Sequence, residues 1–256
     1  MYATAHRLTE ALGGATLTKG ELRHPRLATA DLTGRTFTRA ASVGKHLFLR
    51  FDDELSLHCH LGMDGSWRVY DRRPPINHRV RAVLATAERY ALGQSLLEMA
   101  LVRTPDEKRL VSHLGPDLLA PDWSDTHHAE AVRRLRTDPT RELGDALLDQ
   151  RLLAGVGNVY KSEICFLLGV SPWTPVSSAD ADKAVSLSRE LLLRNALRPL
   201  RNTTGDPRRG RETWVYGRQR TGCLRCGGRV RVANQGAPAR ERVTYYCPHC
   251  QPGPRP

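Results

Sequence analysis

The chain has 256 residues, 40% hydrophobic and 26% charged, with 39 Lys+Arg against 27 Asp+Glu, a net charge of +12 and a sequence pI of about 9.9. That length can bury a sizeable core and divide into two lobes, which excludes a small disulfide-stapled scaffold, and the cationic excess favours a polyanionic partner. No apolar run approaches the roughly 18 residues of a membrane span, and His6, Arg7, Glu10 and Lys19 interrupt the place of a secretory signal, so a cytoplasmic protein with no membrane partner is expected.

Leu8, Ala11 and Leu12 stand at helical spacing and predict a helix over 2–12, opening with no capping residue ahead of it. From Thr36 to about Leu114 the period changes to two: Leu47, Leu49 and Phe51 alternate with His46, Phe48 and Arg50, and Leu55, Leu57, Cys59 and Leu61 alternate again. Turn signals at Asp52-Asp53, Asp64-Gly65 and Pro74-Pro75 separate these runs, which predicts an antiparallel sheet domain, a sandwich or flattened barrel. His58 and His60 share one strand face but have no third ligand in view, so they are read against a metal site. Cys59 and Cys165 lie in apolar patterns and read as reduced packing residues.

A breaker-rich stretch from Gly115 to Asp122 marks a domain boundary, and helices are predicted at about 125–136, 141–152, 158–168 and 178–197, with a break at Pro172 and Pro175. The densest motif runs from Leu148 to Glu163, where Gly155 and Gly157 turn the chain between two helices. Asn158 reads there as an N-cap, and the helix start as a phosphate site to which Lys161, one turn in, adds charge. Seven arginines then lie from Arg198 to Arg220 against only Asp206 and Glu212. Cys223-x2-Cys226 and Cys247-x2-Cys250 follow, with 20 residues between the pairs. A thiolate tetrahedron at this spacing closes all four positions of one structural zinc ion and pins a hairpin made from the β-rich runs 229–232 and 243–246.

The order of these parts carries a resemblance. A sheet domain, then Leu-Asp-Gln-x4-Gly-Val-Gly-Asn-x-Tyr-Lys-Ser-Glu, then Trp214-Val215-Tyr216-Gly217-Arg218, then the four-cysteine hairpin, is similar to the formamidopyrimidine-DNA glycosylase and endonuclease VIII family, nearer its endonuclease VIII-like branch. The resemblance implies an α+β fold: an N-terminal antiparallel β-sandwich with a flanking helix over 1–118, a helix-two-turn-helix domain over 119–205 and a zinc-bound β-hairpin over 206–251. It implies a base-excision-repair enzyme with AP lyase activity by β,δ-elimination, removing oxidised bases, pyrimidines first, from damaged double-stranded DNA as a monomer. Carried over residue by residue, Lys45 touches the phosphate beside the lesion and assists turnover, and Met63 fills the gap left by the flipped base. Asn158 and Arg242 hold backbone phosphates.

One departure stands out. The family's chains begin Met-Pro-Glu-Gly-Asp-Thr or similar, and the proline amine attacks C1′ of the damaged nucleoside while the glutamate does acid/base work. This sequence begins Met1-Tyr2-Ala3-Thr4-Ala5-His6 and aligns only after that stretch. The reading is a start site some six residues too late, the native protein carrying proline and glutamate. The alternative is a damaged-DNA or abasic-site binding protein without efficient catalysis.

Overall fold

The structure is a computed structural model and describes residues 1–62 and 64–256. The chain forms two compact units, Met1–His113 and Leu114–Pro256.

In the first unit, α1 (Tyr2–Leu12) covers the residues predicted, with no side-chain cap at its start. It turns Leu8 and Leu12 into a core shared with Phe37, Leu47, Leu57, Trp67 and Leu84. Eight strands build two antiparallel sheets: β1 (Lys19–Leu22), β5 (Ser66–Tyr70), β6 (Val80–Ala85) and β7 (Tyr90–Gln94) in the order β1-β6-β7-β5, and β2 (Phe37–Val43), β3 (His46–Phe51), β4 (Leu55–His60) and β8 (Glu98–Arg103) in the order β2-β3-β4-β8. The period-two reading holds for the strands. It fails at its end, where β8 stops at Arg103 and Pro105 opens a 3-10 turn leading into a short helix, α2 (Glu107–Val111). Proline fixes the helical φ and gives up no ladder hydrogen bond at a helix start, so the chain leaves the sheet there.

The alternation in β3 and β4 looks like one buried and one wet face, yet most of both strands is buried on both sides. Leu47, Leu49 and Leu57 fill the inner core. On the other face the register pairs His46 with His60, Phe48 with His58 and Arg50 with Ser56. Glu107 covers this polar row: it accepts from Arg50 Nη2 at 2.6 Å and Nε at 2.9 Å, and from Ser56 Oγ at 2.5 Å.

The second unit holds α3 (Asp125–Leu135), α4 (Leu143–Leu148), α5 (Asn158–Leu168) and α6 (Ala181–Asn195), followed by the hairpin strands β9 (Arg231–Gln235) and β10 (Arg242–Tyr246). The four helices share one core through Leu135, Leu147, Ile164, Val185 and Leu191. A smaller cluster of Phe166, Val215, Cys223, Val230 and Cys247 joins α5 to the hairpin. Helix α4 is shorter than the predicted 141–152 because its chain is captured at the end. Gln150 Nε2 donates to Leu148 O at 2.9 Å and Val156 O at 3.0 Å, while its Oε1 accepts from Gly155 N at 3.0 Å. Among the described residues no helix is long and apolar enough to cross a membrane.

Removing Glu107 strands the half-buried Arg50 guanidinium in this polar row, so Glu107→Ala should cost about 3 kcal/mol. Urea unfolding followed by far-UV circular dichroism should show the lowered midpoint.

Candidate nucleic-acid interface

The turn between α4 and α5 is held from within. Asp149 accepts from Arg151 N at 3.0 Å and from Arg141 Nη1 at 2.9 Å, and these arginines hold its carboxyl well below the usual carboxylate range. Gly155 turns the chain at φ +114°, a region that side chains rarely adopt. Helix α5 then opens with Gly157, not Asn158, at the cap position, and no side-chain cap is made. The expectation that Asn158 caps the helix is thereby corrected. Its side chain is drawn away from the helix because Nδ2 donates to Val243 O of β10 at 2.7 Å. A carboxamide nitrogen carries two hydrogens, so one remains for a second acceptor beside the α5 start.

Three consecutive polar residues of α5, Lys161, Ser162 and Glu163, are fully buried. Lys161, expected to add charge to a phosphate site at the helix start, lies beneath the hairpin, where its Nζ hydrogen-bonds Thr244 Oγ1. The register of β9 and β10 explains this burial: Thr244, Tyr246 and Gln235 point inward, whereas Val232 and Val243 sit on the outer face. Burial foremost pulls the Lys161 ammonium down to about 8. Thr244 in turn meets Gln235 Oε1 at 3.3 Å, and Gln235 Nε2 donates to Glu142 Oε2 at 2.9 Å and Pro172 O at 2.8 Å. Gly144 admits this contact, since a Cβ there would stand 2.4 Å from Gln235 Oε1. Arg242, at the open end of β10, is exposed.

Glu163, the last residue of the turn motif, holds a distant segment. Its carboxylate accepts from Trp214 N at 2.8 Å, Val215 N at 2.9 Å and Tyr216 N at 2.9 Å, and also bonds Thr203 Oγ1. One side chain thus gathers both ends of the basic loop 203–216. Burial pushes its carboxyl above the ordinary range against the four donors that hold it down. Trp214 O accepts from Leu224 N at 3.0 Å, which continues the chain of bonds into the first cysteine knuckle.

The four cysteines converge. All four sulfurs lie within 4.8 Å of one another, with Cys223 and Cys250 at 3.9 Å and Cys226 and Cys247 at 3.6 Å. A tetrahedral ion with sulfur ligands at about 2.3 Å needs sulfur separations of about 3.8 Å, so the set fits a metal, and no pair is a disulfide. Gly228 N donates to Cys226 Sγ at 3.4 Å, and Cys247 N donates to Gln251 Oε1 at 2.9 Å.

In the first unit, Lys45 lies in the turn between β2 and β3, after Gly44 at φ 55°. Beside it His46 Nδ1 meets His58 Nε2 at 2.9 Å, with the His60 and His113 rings also against His46. Burial first, then its histidine neighbours, pushes His46 down to about 4. The expected gap-filling residue, Met63, lies outside the described residues.

Comparison with known proteins bears on this arrangement. Residues 1–96 match the formamidopyrimidine-DNA glycosylase N-terminal domain and residues 114–204 match the formamidopyrimidine-DNA glycosylase H2TH domain. The chain belongs to the formamidopyrimidine-DNA glycosylase and endonuclease VIII family. It is 51% identical over 263 residues to a probable endonuclease 8 2 of Streptomyces coelicolor, covering 100% of this chain and 94% of that protein. It is 44% identical to the DNA-(apurinic or apyrimidinic site) lyase Nei2 of Mycolicibacterium smegmatis, covering 98% and 96%. The fold matches that of the Lactococcus lactis Fpg in complex with an abasic-site DNA, with a TM-score of 0.80 at 23% identity over 98% of this chain and 97% of that one.

Replacing Glu163 by Gln exchanges one acceptor oxygen for an NH2 that opposes backbone N–H groups. Each stranded buried donor costs about 1–3 kcal/mol, so the second unit should lose at least about 2 kcal/mol. Thermal melting, with protease nicking within 203–216, checks this.

Proposed function

We propose that the chain is a base-excision-repair DNA glycosylase with AP lyase activity that removes oxidised bases, pyrimidines first, from duplex DNA and cuts the strand by β,δ-elimination. The observation that carries the reading is the joint placement of Asn158 and Arg242. An amide at the start of α5 is bonded to the residue after an exposed arginine on the four-cysteine hairpin, so both residues can serve one phosphate backbone. The relatives' names, an endonuclease 8 and an apurinic or apyrimidinic site lyase, agree with this use of the fold.

In this reading residues 119–205 are the helix-two-turn-helix module and 206–251 the zinc finger, following a glycosylase N-terminal domain over 1–118. Zinc is held by Cys223, Cys226, Cys247 and Cys250. It supplies no reaction step and serves to hold β10, and hence Arg242, in place. Asn158 and Arg242 grip backbone phosphates, Lys45 contacts the phosphate beside the lesion and assists turnover, and Met63 fills the space left by the flipped base. Lys161 adds positive potential from beneath the surface. The protein works as a monomer on the nucleoid in the cytoplasm.

Borohydride trapping of the protein expressed from its native locus, on duplex DNA containing an abasic site and followed by product analysis, tests the activity. A covalent adduct is expected with borohydride, and a strand cut at both sides of the site in a parallel reaction without it. Tight lesion binding without adduct would replace the enzyme by a damaged-DNA binding protein. On an uncleavable abasic analogue, Arg242→Ala should weaken binding for all sequences and flatten the slope of log affinity against log salt by about 1. Chelation of the metal should abolish specific binding before the first unit melts, as read by circular dichroism beside a binding curve.

A further inference from the structure

The C-terminal unit hides a cation directly behind its candidate phosphate contacts. Lys161 is fully buried on α5, one turn after Asn158, with its ammonium on Thr244 Oγ1. Thr244 is two residues from Arg242, and Asn158 is bonded to Val243 between them. A lysine in this place cannot reach solvent or a phosphate oxygen, so it can act only through its charge. The groups that face it are Cys165 on its own helix, Asp145 on α4, Glu142 at the α4 start, and Arg242 on β10. Beyond Thr244 the hydrogen bonds continue through Gln235 to Glu142, which lines an open cleft of about 470 Å³ with Arg141, Asp145 and Trp173.

We propose that Lys161 is a proton-linked binding residue: DNA docking on Asn158 and Arg242 draws a proton onto its buried amine, so the affinity for DNA falls as the medium becomes alkaline. This rests on the reading of the Asn158 and Arg242 surface as a phosphate site. Desolvation is the largest cause that lowers the free amine to about 8, and Arg242 adds to it. A phosphate on Arg242 offsets the like charge and adds an attraction that favours the ammonium, while the already complete burial of the amine changes little. The bound protein therefore holds its proton to higher pH than the free protein. Below about 8 both forms are protonated and binding is independent of this group; above it, binding must take up a proton, and the dissociation constant rises by at most about tenfold per pH unit.

The test is calorimetric titration of the full zinc-loaded protein with a duplex carrying a tetrahydrofuran abasic analogue, at pH 6.5 and 8.5, in buffers of different ionisation enthalpy. Wild type should take up a fraction of a proton at pH 8.5 and less at pH 6.5. The α-amino group also titrates near 8. Lys161→Arg separates the two, since a guanidinium keeps the charge and does not titrate: it should lose the uptake at pH 8.5, whereas uptake by the α-amino group would persist. Lys161→Met should lose the uptake and bind more weakly at pH 6.5, and it serves as the second variant if arginine disturbs the packing by circular dichroism. Equal uptake in wild type and either folded variant, or no pH dependence of wild-type binding between 7 and 9.5, overturns the inference. Failure to bind the duplex at any pH overturns the phosphate-site reading itself.

Discussion

Burial of consecutive polar groups on α5 is the constraint on which the C-terminal unit depends. Lys161, Ser162 and Glu163 have no access to solvent. An unpaired buried polar group costs as much as a sizeable fraction of a domain's net stability, so each must be met by a specific partner. Lys161 is met by Thr244 of the hairpin, and Glu163 by Thr203 and the backbone of Trp214, Val215 and Tyr216. A helix with an apolar face would accept neighbours over a range of positions. This one accepts the hairpin and the basic loop in one register each.

The thiolate cluster complements that constraint. The apolar group under the hairpin is small, built from Phe166, Val215, Val230, Cys223 of the first knuckle and Cys247 of the second. A two-stranded ribbon with so little core is marginal by itself, and a metal bound by the four sulfurs would provide folding energy that packing does not. Arg225 lies over the Phe166 ring at 4.3 Å, and Trp214 stacks on the same ring, so the first knuckle also grips the loop that Glu163 gathers. Exposed arginines are thus presented on segments anchored by a helix, a ribbon and a four-cysteine cluster together.

How much was legible in the sequence depended on whether a residue's role was set by its neighbours in the chain. Period-two alternation located β3 and β4 and enclosed β2 to β8 in one region, helical spacing located α1, α3, α5 and α6, and the cysteine spacing predicted a cluster that the fold brings together. These signals are local, because pleat, helix pitch and ligand spacing are properties of short segments. The sequence did not reveal that β3 and β4 are covered on both faces, since Glu107 arrives from a segment 51 residues beyond its partner Ser56. Nor did it reveal that Asn158 turns from its helix to Val243, or that Lys161 points under the ribbon. Each of those choices is made by a partner more than 80 residues away. The sequence by itself determined most of the elements, the thiolate set, the basic character and the family; the tertiary structure alone decided which polar side chains are buried and what they bond, because desolvation acts on a group only after distant parts of the chain have closed over it.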